Sequence, residues 1–531
     1  MFGASGVQPR ARGSSSRPFG GSSAAPKVDT IYIDSFYIDG GAVGSFVGRR
    51  RELALLDRRL QRVRDAPGGP GATGTAVAIR GRRQVGKSRL VQEFCDRAEV
   101  PYLYFTATKG APPPESWGSL LAELRSSSLP STAQLLPEQA PSSWPDAFRL
   151  LAGALPDRPS VVVLDEVPWL SEQDDLFDGA LQTAWDRLLS RRPVLLLLLG
   201  SDLHMMERLT AYDRPFYGRA DNLLLGPLNP AETASALDLP AAQAIDAHLI
   251  TAGLPGILRS WPSGCAPLTF LRQECEAPAA PVFGVPEASL LAEFPAPDQA
   301  RRVIESIGSG DRTQTAIASR AAVHGTLPSG SLSPLLRRLT VEKRVLAVDR
   351  PLSTTPGKPA LYRVADSNLR LYLAATRAAH ELIRRGRPET AFQIIERRWS
   401  SWRGRAVEPL VREALELAAA TGRLPWPQTT AVGGWWNRRF DPEVDLVGAD
   451  RSPVAGRIDF AGSVKWLTSP VDRHDVATLT ASAPAVPGFE PGRSGLAVVS
   501  LSGRAADVDA ARVDLWWTAD DVLDAFHDEP S

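Results

Sequence analysis

The stretch that most constrains this chain is Gly81-Arg-Arg-Gln84-Val85-Gly86-Lys87-Ser88. It is a G-x-x-x-x-G-K-S run set between an apolar segment, Thr75-Ala-Val-Ala-Ile-Arg80, and a helical pattern from Lys87 to about Ala98. A glycine-rich turn between strand and helix aims several backbone N–H groups at one place, and the helix start adds positive potential there. A polyphosphate fits such a cradle. Gly81, Gln84, Val85 and Gly86 are expected to supply the wrap, and Arg89 follows on the helix. Lys87 is expected to reach the β- and γ-phosphates and Ser88 to hold Mg²⁺. The expected cofactors are ATP and Mg²⁺.

A second pattern extends binding to hydrolysis. Val161-Val-Val-Leu164-Asp165-Glu166 is an apolar run ending in two carboxylates. Asp165 is the candidate Mg²⁺ ligand and Glu166 the residue that polarises the attacking water. The run Val194 to Leu199 leads into Gly200-Ser201-Asp202. Ser201 is the candidate sensor of the γ-phosphate, with a helix N-cap as the equal alternative. Arg219 is the candidate arginine finger, against the plainer reading of a surface arginine.

Around these motifs, strands alternate with helices. Glu52 to Asp65 puts Leu53, Leu56, Leu60 and Val63 on one face, and Tyr102 to Thr106 reads as a strand. The expectation is a doubly wound α/β domain over 29–225, followed by a helical lid over 226–284. A middle domain is expected over 285–385 and a separate C-terminal α/β domain over 386–531. Residues 1–28, rich in Gly, Ser, Arg and Pro, read as a disordered tail. Thr30 to Asp39 repeats Tyr-Ile-Asp and is β-prone, so it is either an ordinary strand or a docking segment.

The chain has 531 residues and a formal net charge of zero, so attraction to nucleic acid must come from a local patch. Cys95, Cys265 and Cys275 show no metal-ligand spacing and suit a reduced, cytoplasmic setting. No apolar run is long enough to span a bilayer, so no membrane partner is expected. The richness in Arg, Ala and Pro suggests a GC-rich bacterial source.

Phe46-Val-Gly48-Arg49-Arg-Arg-Glu52-Leu53, the two nucleotide motifs, Leu199-Gly-Ser201, Tyr217-Gly-Arg219 and Gly253-Leu-Pro255-Gly together resemble the archaeal-type ATPases. Those belong to the STAND branch of the AAA+ P-loop NTPases. The resemblance implies that Gly48, Arg49 and Glu52 lie near adenine and ribose, and that Gly253 and Pro255 read the nucleotide from the lid. It also implies that the chain can form homo-oligomers.

Beyond the lid, three helical stretches and two β-prone pieces, Arg344 to Val348 and Leu361 to Val364, read as a winged helix. Leu332, Leu335, Leu336 and Leu339 would face its core, leaving Arg337, Arg338, Lys343 and Arg344 outward for DNA phosphates. A protein-contact module is the alternative. Tyr362-Arg-Val-Ala-Asp366 with Leu369-Arg-Leu-Tyr-Leu373 is similar to the end of this domain in the archaeal-type ATPases.

The C-terminal region is similar to the PD-(D/E)XK nuclease fold. Trp402 is expected to open a helix bearing Glu408, and Asp445 and Lys465 are expected on strands. The resemblance makes Glu408, Asp445 and Lys465 the helix acid, strand acid and lysine of that site. Ser463 stands where a further acid belongs, and a hydroxyl is a poorer Mg²⁺ ligand than a carboxylate. Asp459 is separated from Ser463 by roughly 13 Å of strand and cannot replace it. The expected reading is therefore an ATP-hydrolysing switch that controls contact with DNA or a protein partner through a winged helix and a degenerate nuclease fold. The alternatives are an ATP-regulated, Mg²⁺-dependent DNA endonuclease and a pure protein-interaction switch.

Overall fold

Continuous apolar runs bounded by turn residues become the strands of a parallel sheet. In the computed structural model the described residues are 46–527, except 67–73, 130–135, 213, 215, 295–297, 323–324 and 358. The tail over 1–28 and the segment Thr30 to Asp39 lie outside them.

The first sheet contains β1 (Thr75–Arg80), β2 (Tyr102–Thr106), β3 (Ser160–Asp165), β4 (Val194–Gly200) and β5 (Ala220–Leu224), in the order β2-β3-β4-β1-β5. Every neighbouring pair is parallel. β3 and β4 are buried at every position, as strands covered on both faces must be. On one face Val77, Val163 and Leu197 pack with α1 (Arg50–Asp65) and α2 (Lys87–Ala98). Leu53, Leu56, Leu60 and Val63 are the buried stripe of α1. On the other face Ala78, Val162 and Leu196 share a core with α3 (Pro113–Ser126), α4 (Trp144–Ala154), α5 (Val167–Gln173), α6 (Phe177–Arg187) and α7 (Leu203–Thr210). This is the α/β fold of a P-loop NTPase.

Five helices follow: α8 (Pro230–Leu237), α9 (Ala241–Thr251), α10 (Pro255–Leu258), α11 (Pro267–Cys275) and α12 (Pro281–Glu293). Next come α13 (Gln299–Gly308), α14 (Gln314–Arg320) and α15 (Ser329–Arg337), then an antiparallel hairpin of β6 (Leu346–Asp349) and β7 (Leu361–Val364). Leu332, Leu336 and Leu339 are buried in this segment's core with Val303, Ile304 and Ile317, while Leu335 is half-buried. Arg337, Arg338 and Arg344 are exposed and Lys343 is half-buried.

The chain continues through α16 (Ser367–Leu371) and α17 (Arg377–Arg384) into α18 (Pro388–Ala420), a helix of 33 residues. Trp402 therefore lies inside a helix and does not open one. Trp399 and Trp402 are both buried with ring centroids 5.5 Å apart, so packing carries the helix through this stretch. A second sheet has the order β12-β11-β10-β9-β8. Its members are β8 (Ala431–Trp436), β9 (Glu443–Ala449), β10 (Ile458–Lys465), β11 (Gly495–Ser500) and β12 (Leu515–Trp517). The strands β8, β9 and β10 are antiparallel, and β10, β11 and β12 are parallel. α19 (Arg473–Ser482) precedes β11, and α20 (Ala519–His527) packs back on α8, α9 and α18.

Buried polar contacts tie these parts together. Asp246 on α9 pairs with Arg403 on α18 at 3.0 Å and accepts from Trp466 Nε1 at 3.2 Å. Arg403 also donates to the Trp466 carbonyl at 3.0 Å. Asn368 Nδ2, fully buried, donates to the Ile250 carbonyl at 2.8 Å. The three cysteines are free, and burial pushes the Cys95 and Cys275 thiols up to about 12. Among the described residues no helix is long and apolar enough to cross a membrane.

Candidate nucleotide site

The loop between β1 and α2 is shaped by two left-handed residues and one close approach. Gly86 has φ 90° and Gln84 has φ 66°, both in the left-handed region. A Cβ on Gly81 would stand 2.4 Å from the Leu225 carbonyl oxygen, where the chain leaving β5 crosses the loop. Lys87 is buried, and its Nζ donates to the carbonyls of Gly81 at 2.9 Å and Arg82 at 3.2 Å. Gln84 Oε1 is buried without a partner.

The parallel register sets the tip of β3 beside the start of α2. Ser88 Oγ donates to Asp165 Oδ2 at 2.8 Å, and Tyr104 on β2 donates to the same oxygen at 2.9 Å. Burial, then Asp165, pushes the Tyr104 phenol far up, so it remains a neutral donor. Tyr104 was not singled out in the sequence. The one available signal was a row of hydroxyl-bearing residues, Tyr102, Tyr104 and Thr106, at alternate positions of the strand.

Glu166 has φ 57° and is 9% exposed. Both its oxygens accept from Ser201 Oγ at 2.9 Å, and the Ser201 N–H lies 3.4 Å from Oε2. Burial raises the Glu166 carboxyl, Lys87 opposes that rise and Asp165 adds to it. Gly200 makes the contact possible. A Cβ there would stand 2.5 Å from Met206 Sδ and 2.7 Å from Pro168 Cδ, so only glycine lets α5 and α7 close over the end of β4. The cap of α7 is Asp202, which accepts from Met205 N at 2.9 Å. Ser201 is thus not the cap.

The boxes on either side meet over the loop. Gly253 has φ 65°, and a Cβ there would stand 2.0 Å from the Leu228 carbonyl oxygen. The turn it permits seats Pro255 on α10 over Gly86, with Cγ 3.5 Å from where a Cβ on that glycine would be. Gly48 has φ 74°, and Glu232 on α8 fills the space beside it. Arg49 is 4% exposed. Its Nη2 donates to the carbonyls of Val85 at 2.9 Å and Gly226 at 2.7 Å, and its Nη1 pairs with Glu52 at 3.2 Å. Arg49 therefore joins α1, the loop and the entry to α8. Arg89 faces away, pairing with Glu93 at 3.0 Å and lying over the Phe46 ring.

Arg219 is held elsewhere. Its guanidinium grips Asp186 on α6 in two hydrogen bonds of 2.8 Å and donates to the Tyr217 carbonyl. None of its hydrogen bonds goes to the loop or to Asp165 and Glu166.

The C-terminal candidates converge only in part. Asp445 Oδ2 accepts from Ser463 Oγ and from the Val464 N–H, both at 2.9 Å. Glu408 Oε2 lies 3.3 Å from Arg412 Nη2, which also donates to the Asp445 carbonyl at 2.8 Å. Burial pushes the Glu408 carboxyl up to about 7, with Arg412 opposing and Asp445 adding. Lys465 turns to Asp475 on α19 at 2.8 Å. Asp459 is tied to Arg457 at 2.6 Å and to Thr429, away from this cluster. Arg412 was not singled out in the sequence, although its place four residues after Glu408 puts both on one helical face. A cavity of about 1010 Å³ runs from Arg82 and Ser201 past Asp366 and Arg370 to Arg412.

A family model described as an AAA ATPase domain matches residues 45–197. A second, described as archaea bacterial proteins of unknown function, matches residues 372–476, from before α18 into α19. No curated protein matches. Among solved structures, the chain is similar to a Walker-type ATPase of Pyrococcus abyssi, at 19% identity and TM-score 0.43, covering 62% of this chain and 96% of that one. It is also similar to the ORC2 protein of Aeropyrum pernix, at 15% identity and TM-score 0.40, covering 66% and 95%. A STAND protein with a tetratricopeptide repeat sensor from Pyrococcus horikoshii matches at 13% identity and TM-score 0.28, covering 71% and 52%. The AAA ATPase match lies across a loop, two acids and a parallel sheet of the required geometry, so the chain carries an AAA-type P-loop ATPase domain.

Proposed function

We propose that ATP with Mg²⁺ sets this chain in one of two states, and that the state controls its contact with DNA. Lys87 and the loop N–H groups hold the phosphates. Ser88 and Asp165 hold the ion, since a hydroxyl and a carboxylate already meet there at 2.8 Å. Glu166 orients the attacking water and Ser201 holds Glu166. Gly48, Arg49, Glu52, Gly253 and Pro255 form the joint through which the lid helices α8–α12 read the nucleotide. The nuclease-like sheet serves as a scaffold that does not cut.

The observation that carries this reading is Glu207. Its carboxylate lies 3.4 Å from Arg80 at the end of β1 and 3.1 Å from Arg344 before the hairpin. Arg82 in the loop faces Asp366, the cap of α16, at 3.9 Å. A change at the phosphates therefore reaches the segment α13–β7, which we read as a winged helix. Arg344 is engaged by Glu207, whereas Arg337 and Arg338 are exposed at the end of α15 and the start of the π turn after it. We assign DNA phosphate contact to those two.

Retention of duplex DNA on a filter should rise with ATP and fall with ADP. Arg337→Glu with Arg338→Glu should weaken it at least about tenfold and lower the salt slope by about 2. ATP turnover should be unchanged by that pair. DNA retention indifferent to nucleotide would end the DNA reading in favour of a protein partner.

Ser201→Ala tests the assignment of Glu166. The carboxylate loses its charge-assisted donor, a contact worth about 1.5–3 kcal/mol. Turnover should fall about tenfold or more while nucleotide affinity holds. Because the lost donor stabilised the ionised form, the acid limb of the pH–rate profile should move to higher pH. An unshifted limb would show that Ser201 does not act through Glu166.

A further inference from the structure

The nuclease-like cluster does not fit a divalent cation. Mg²⁺ needs oxygen ligands at about 2.0–2.1 Å in near-octahedral array. Here Asp445 Oδ2 is taken by two donors, Ser463 Oγ and the Val464 N–H. The side of Asp445 toward α18 carries the Arg412 guanidinium, which donates to its carbonyl through Nε at 3.0 Å and Nη2 at 2.8 Å. The same Nη2 reaches Glu408 Oε2 at 3.3 Å, with both side chains largely buried. Among the described residues no three His, Cys, Asp or Glu side chains are placed to hold a metal ion.

A glycine keeps room for this guanidinium. A Cβ on Gly434 of β8 would stand 2.6 Å from Arg412 Nη2 and 3.1 Å from its Cζ. The lysine that would serve a metal-bound water is turned away to Asp475.

We infer that Arg412 is a built-in cation that takes the place of the divalent metal between Glu408 and Asp445. One guanidinium carries one charge and only donors. It offers an ion nothing to bind and repels it, while its flat fork satisfies a carboxylate and a carbonyl together. Two residues enforce the exchange, serine at 463 in place of a ligand and arginine at 412 in place of the ion. The inference rests on the nuclease-like reading of the second sheet and not on DNA binding.

The test is the Mn²⁺ stoichiometry of the full chain, free of nucleotide, by electron paramagnetic resonance. Wild type and Ser463→Asp should bind no Mn²⁺ that Asp445→Asn removes. Ser463→Asp with Arg412→Ala should gain one such ion, lost again on Asp445→Asn. Arg412→Gln in the same background keeps the side-chain bulk should the alanine variant fail to fold, which circular dichroism would show. Mn²⁺ bound by wild type and lost on Asp445→Asn would overturn the inference. So would equal binding by Ser463→Asp with and without Arg412, or a folded double variant that binds none. Failure of ATP-dependent DNA retention would remove the proposed switch and leave this count untouched.

Discussion

Lys87→Ala should reduce ATP turnover by on the order of 10²–10³-fold, the loss typical of removing one preorganised donor from a reacting oxyanion. The ammonium already lies inside the loop, on the carbonyls of Gly81 and Arg82. Exchanging those neutral acceptors for charged phosphate oxygens strengthens its hydrogen bonds. Lys87 also holds the Glu166 carboxyl down against burial. Without it Glu166 ionises later, so residual turnover should rise only at higher pH than in the wild type. Steady-state phosphate release across pH 5–9 reads both effects. Undiminished turnover in a folded Lys87→Ala protein would refute the assignment of the loop.

The second large effect is expected far from the phosphates. Arg403→Ala should destabilise the junction of α9, α18 and β10 by about 3–5 kcal/mol, because it strands a buried carboxylate. Asp246 and Arg403 are each about a tenth exposed. Burial already raises the Asp246 carboxyl, and Arg403 and Trp466 hold it down. Removing Arg403 raises it further. A folded-state pKa above the unfolded one means the native state keeps a proton that the unfolded chain loses. The variant's deficit should therefore be small in acid and grow as pH rises through the window above the unfolded carboxylate pKa. Hydrogen exchange of α9 and β10 amides at two pH values measures it. Asp246→Leu with Arg403→Met should recover most of the loss, since a packed apolar pair can replace a buried ion pair. Unchanged protection in Arg403→Ala would show that this contact does not join the two parts.

The nucleotide loop was legible because its chemistry is local. Gly81 to Ser88 and the Asp165–Glu166 tip each encode their geometry within a few residues. What joins them was not legible. The Ser201–Glu166 bond needs β3 beside β4, a neighbour relation that sheet order decides. Gly200 looked like an ordinary strand end until Met206 and Pro168 closed over it. Arg219 offered the pattern of a finger, but its partner Asp186 lies on α6, where no motif marks it. Lys465 matched a nuclease lysine, yet Asp475 claims it from the next helix. Trp402 does not open a helix because burial of Trp399 and Trp402 outweighs the weak helix preference of the serines beside them. Arg412 was within reach of helical spacing, but its role depends on Gly434, on the strand that follows the helix.

One consequence of α18 remains. Its 33 residues span about 50 Å. Its first half packs on α11 and α17, and its second half meets β8 and β10. The Asp246–Arg403 clasp fastens its midpoint to α9. Such a rod behaves as a lever arm with its fulcrum on α9. A tilt of about 5° at the clasp would sweep either tip by about 2 Å, over a half-length of about 25 Å. That stroke is comparable to the shifts of about 1–2 Å by which helices repack between discrete states, so the proposed switch needs no loop between lid and far sheet to refold.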